Sequence, residues 1–136
     1  MNEDVKFYSA IAVNVLLLWA LLSIFSLLNP DLNNLSGIMI VISGLTCTVI
    51  AGGFISGSLL DEWSKDHAGG VSIVSFFIFL LTGIVSQLFF NKPLPDPILI
   101  VLLLIFAPLI LGFSYLYPVY WAGRGGRAFA RFMSSR

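Results

Sequence analysis

The sequence is poor in charge. Asp, Glu, Lys and Arg make up 10% of its 136 residues, against about 25% in an ordinary soluble domain. That is too little to clothe a surface in water. Cysteine occurs once, as Cys47 in an apolar run, which excludes an internal disulfide and a cysteine-built metal site. The single histidine, His67, lies in a polar loop, so an intramembrane haem with histidine ligands has no support. There is no Ser-His-Asp set, P-loop or H-E-x-x-H motif. Seven basic and seven acidic residues cancel, so overall charge exerts no pull on nucleic acid.

What remains is apolar: 58% of the residues are hydrophobic. Runs of about 20 apolar residues are read as membrane spans. Four are expected, over residues 7–28, 35–60, 71–90 and 98–121, with an Arg-rich tail over 122–136. The length leaves no room for a separate soluble domain. The turns "NPDLNN" and "NKPLPDP" separate the spans pairwise, and Asp96 and Pro97 suit the start of the fourth. A β-barrel would need short alternating segments, and none occur. Before the first span one lysine stands against Glu3 and Asp4, and no small-x-small site closes the run, so it is expected to be a retained span. The fold class is therefore all-α: an integral membrane four-helix bundle with short loops and a basic C-terminal tail.

Lys6, Lys65, Arg124, Arg127, Arg131 and Arg136 fall on one side of this arrangement, and only Lys92 on the other. The positive-inside rule then places both termini and the 61–70 loop in the cytoplasm of a cell-membrane protein. Tyr8, Trp63, Tyr117, Tyr120 and Trp121 sit near the same ends, as interfacial aromatics do. The charge cluster of "AGGFISGSLLDEWSKDHAGG" lies between glycines because the chain leaves the membrane there and re-enters at once. Asp61 and Lys65 are spaced to pair if the helix runs on.

The spans have faces. Gly37, Gly44, Ala51 and Ser58 recur every seven positions, and Gly53 and Gly57 form a G-x-x-x-G on roughly the opposite side. Small residues let helices approach closely in lipid, so the second span is expected to touch more than one helix. In the third span Ser72, Ser75, Phe79, Thr82, Gly83 and Ser86 share an arc, read as protein-facing, while Phe77, Leu81, Ile84 and Leu88 face lipid. Asn14 and Trp19 lie deep in the first span and should face another helix. Pro108 frees the carbonyl of Leu104 and is expected to bend the fourth span.

Outside the spans two features carry chemistry. Asp61, Glu62, Asp66 and His67 suit a divalent ion by ligand type, but Lys65 sits among them, and a plain solvated loop is the preferred reading: no metal and no cofactor. In the tail, "AGRGGR" is expected to loosen the backbone. Arg124, Arg127 and Arg131 would then meet lipid headgroups or an acidic partner while Phe129, Phe132 and Met133 dip into the interface. A weak pairing of Asn29 with Asn91, Gly53-Phe54 with Gly112-Phe113 and Trp63 with Trp121 hints at duplication; chance is the preferred explanation.

The stretches "AGGFISGSLL" and "HAGGVSIVSF" resemble the small glycine-rich four-helix membrane proteins found widely in archaea, most of unknown function. The resemblance covers the second and third spans and implies the fold alone. It carries over no catalytic or binding residue, and the "DEWSKDH" insert departs from it. The functional expectation is a non-enzymatic accessory or structural subunit of a larger membrane complex, with lipids and other membrane subunits or copies of itself as partners. The alternative is a homo-oligomeric, holin-like pore lined by the hydroxyl face of the third span.

Overall fold

The structure, a computed structural model, describes residues 3–60, 62–93 and 96–135. It is all-helical: α1 (Glu3–Leu28), α2 (Leu35–Leu59), α3 (Lys65–Phe89), α4 (Pro97–Ser114) and α5 (Leu116–Ser134). Among the described residues, α1 to α4 are the helices long and apolar enough to cross a membrane.

Local chemistry sets most helix ends. Asn29 and Asn91 take the left-handed conformation, with φ of 48° and 54°. Asparagine tolerates this better than any other non-glycine residue, so α1 and α3 both end on a sharp turn. The Asn34 side chain accepts from the Ser36 N–H at the start of α2, and Asp96 accepts from Ile98 N–H at the start of α4, with Pro97 in the first turn. Ser64 caps α3 by accepting the His67 N–H. This cap starts α3 six residues before the expected span, so Lys65 to Gly70 are helix rather than loop. The expected Asp61–Lys65 pairing lies outside the described residues.

The fourth span and the tail are corrected together. Helix continues almost to the end of the described chain, so the glycines of "AGRGGR" do not loosen a tail. The break falls instead at Tyr115, inside the expected 98–121 span. Proline at 118 has no N–H to give the Ser114 carbonyl, and the chain turns there into a second helix. Pro108, expected to bend the span, is buried inside α4 without ending it.

The core draws one side chain or more from every helix: Leu18 of α1, Val49 of α2, Ala68 and Phe76 of α3, and Val119 of α5, with Leu111 of α4 packed against them. α1 packs on α2 and α3, α3 on α4, and α5 lies chiefly along α2. The outward faces stay apolar, as at Leu16, Ile42, Leu102, Phe106 and Ile110. Contiguous exposure of this size is what lipid, not water, accommodates.

Candidate functional site

Several polar side chains at membrane depth tie helices together. Asn14 Nδ2 donates to Ser56 Oγ and to the Ala10 carbonyl, both at 2.8 Å. Ser56, fully buried, donates in turn to the Gly52 carbonyl at 2.7 Å. Trp19 Nε1 donates to Thr82 Oγ1 at 3.0 Å, which ties α1 to α3, and the ring packs on Phe79. Asn14 and Trp19 thus both face another helix. Tyr115 and Thr46 bring their hydroxyls to 3.3 Å between the start of α5 and α2. On the third-span arc, Ser72 and Ser75 are buried, and Ser75 Oγ has no hydrogen-bond partner. Thr82 holds Trp19, while Ser86 borders lipid-facing grooves and Gly83 faces open space. Phe77, Leu81 and Leu88 are exposed on the other side.

The small residues of α2 divide between two neighbours. Gly44 lies against Phe25 and Leu21 of α1, and Gly52 against Asn14. Gly37 sits over the Asp31 backbone in the preceding turn. Ala51, expected on the same seam, is exposed instead. The α1-facing line runs Gly44, Gly52, Ser56, because contact between crossing helices drifts round the helix rather than keeping a seven-residue repeat. The G-x-x-x-G face meets α5. A Cβ on Gly53 would stand 3.0 Å from the Val119 carbonyl, and one on Gly57 would overlap the Gly123 backbone. Gly126 lies equally close to the Phe54 backbone, and Trp63 covers Gly123 while its Nε1 donates to the Tyr120 carbonyl at 2.9 Å. Gly123 and Gly126 were not among the packing residues expected from sequence. The available signal was their three-residue spacing, which puts them near one helix face.

This close crossing positions the arginines. Arg124, Arg127 and Arg131 are spaced three and four apart, so they share the side of α5 that meets the start of α3. With Glu62, Trp63, Ser64 and His67 they line an open pocket of about 580 Å³. The Arg124 guanidinium stacks 4.9 Å over the Trp121 ring, and Lys65 Nζ lies 5.1 Å over Tyr117. Arg127 is half-buried, and its Nη1 is buried with no hydrogen-bond partner. The three arginines expected at the headgroup level are therefore wall residues of a formed cleft, not a loose tail.

The acidic loop changes composition. Glu62 and His67 come together with Glu3 of α1, with one ligand atom from each within 4.8 Å of the others. Asp66 is not part of this group, and Asp61 lies outside the described residues. His67 Nδ1 is 2.8 Å from Ser64 Oγ, so one ring nitrogen already has a local partner. No family model, curated protein or solved structure matches the chain.

Proposed function

We propose that the chain is a non-enzymatic, polytopic membrane protein that serves as an accessory or structural subunit of a larger membrane complex. One observation carries this reading. Several polar groups at membrane depth are engaged or enclosed inside the bundle: Asn14 with Ser56, Trp19 with Thr82, and Ser72 and Ser75 buried. No Asp, Glu, Lys, Arg or His joins them in the span cores. That leaves a tied scaffold with an apolar exterior, suited to association rather than to proton or ion transfer.

Vesicles holding the purified protein alone should pass neither ions nor dye. Flux that disappears with Ser75→Leu, Thr82→Leu or Ser86→Leu, but survives Phe77→Leu, would make the chain a homo-oligomeric pore instead. Purification from native membranes in mild detergent should also retain a co-migrating membrane protein. Migration as the single chain alone would count against a subunit role.

The orientation proposed with this function places the Arg pocket and both termini in the cytoplasm, on the Lys and Arg asymmetry. Cysteines introduced at Ser135 and Asn33, in a background lacking Cys47, should react with a membrane-impermeant maleimide from opposite sides. Outside labelling at 135 would reverse the orientation.

A further inference from the structure

We infer that the cleft between α5 and the start of α3 is a binding site for a phosphate group, with Arg127 at its centre. The site is independent of the subunit role and follows from the geometry of the pocket wall. Among the described residues, three arginines share the pocket lining with one carboxylate, Glu62. Counting Glu3, beside Glu62, three arginines still outnumber two carboxylates among the described residues. Arg124 is braced by its stack on Trp121, so its fork is presented with little rotamer entropy left to lose. Arg127 Nη1 is buried without an acceptor, and a charged donor left so is costly. The first turn of α3, capped by Ser64, adds the positive end of a helix to the rim.

Phosphate answers each of these features. It is a dianion or monoanion with several acceptor oxygens, and guanidinium forks bind it in paired hydrogen bonds. A carboxylate fits the fork but offers fewer acceptors than three arginines can use. The volume, about 580 Å³, exceeds one phosphate and admits the ester group attached to it. The pocket's surroundings identify the first source. Tyr117 and Trp121 are exposed on the turns of α5 leading into the cleft, and Phe129, Phe132 and Met133 are exposed beyond it. Aromatic and apolar groups of this kind mark the headgroup level of a bilayer. A phospholipid headgroup can enter sideways there, and a soluble phosphoester can enter from water.

Two arms separate the sources. In the first, the full chain is placed in nanodiscs of phosphatidylcholine containing a minority of phosphatidic acid. Anionic lipid retained through detergent release is then counted by native mass spectrometry. In the second, inorganic phosphate is titrated into the protein in neutral detergent and the melting temperature is followed. Arg127→Gln should lower occupancy about tenfold, the loss expected from one charge-assisted fork. Arg127→Lys should fall between wild type and Arg127→Gln, because charge is kept and the fork is lost. Lys92→Gln, at the opposite end of the bundle, should change nothing. Arg131→Gln, at an exposed position, keeps the test readable if Arg127→Gln does not fold. Retained lipid that falls in Arg127→Gln, with no response to phosphate, assigns a headgroup site. A melting shift with phosphate, lost in the variant, assigns a soluble phosphoester. Either supports the inference. It is overturned if folded arginine variants match wild type in both arms, or if Lys92→Gln loses as much lipid as Arg127→Gln.

Discussion

Gly57→Leu should separate α2 from α5 and sharply lower the melting temperature. Even a Cβ at this position overlaps the Gly123 backbone, which is not the end of a flexible side chain and cannot turn aside. The helices must move apart, and the Gly53–Val119 and Gly126–Phe54 approaches loosen with them. Overpacking costs about 1–3 kcal/mol where side chains can adjust. With backbone on both sides the upper end applies, roughly a 10 °C fall for a chain of this size. Gly57→Ala should show a smaller fall of the same sign. Ala51→Leu, on an exposed part of the same helix, should leave the melting temperature near wild type. Thermal unfolding in one detergent gives all three values. Equal losses for Gly57→Leu and Ala51→Leu would mean that α5 does not pack on α2 through this face.

Trp63→Ala should be of comparable severity, at about 3 kcal/mol, the low end for losing a packed tryptophan because the ring is only half-buried. The ring fills the space over Gly123, and its N–H satisfies the Tyr120 carbonyl. Trp63→Phe keeps most of the first contribution and loses the second, so its cost should be about 1 kcal/mol. If Phe and Ala cost the same, the hydrogen bond dominates and packing of the ring contributes little. The pair also has a non-additive signature. Gly123→Ala meets the Trp63 ring and should destabilise wild type, yet be better tolerated beside Trp63→Ala, where the ring is gone. Additive costs in that double-mutant cycle would show that the two residues do not share the space. Loss of either contact should also disturb the arginine cleft, since the crossing carries α5 past the start of α3.

Much of this architecture is present in the order of residues alone. Four long apolar segments dictate helices, because lipid leaves the backbone no other partner for its hydrogen bonds. The turns are local: Asn29 and Asn91 reverse the chain, and Asp96 with Pro97 starts the next helix. Asn14 and Trp19 had to find partners inside the bundle because an unsatisfied polar group in hydrocarbon is costly. Their spacing says nothing about which partners, and only packing assigned Ser56 and Thr82.

The larger departure lies after residue 114. Glycines and arginines in series read as a loose basic tail, since glycine weakens an isolated helix by about 1 kcal/mol per residue. In the folded chain the same glycines allow a backbone approach that a side chain would forbid, and packing on α2 outweighs the local preference. Proline at 118 was a visible signal for a break near 115, but its weight against Pro108 depended on which helix lay alongside. Composition places the three arginines at a membrane surface. Their convergence with Ser64 and His67 in one cleft, more than fifty positions away in the chain, required α5 to fold back along α2, which is a property of tertiary packing and not of any local segment.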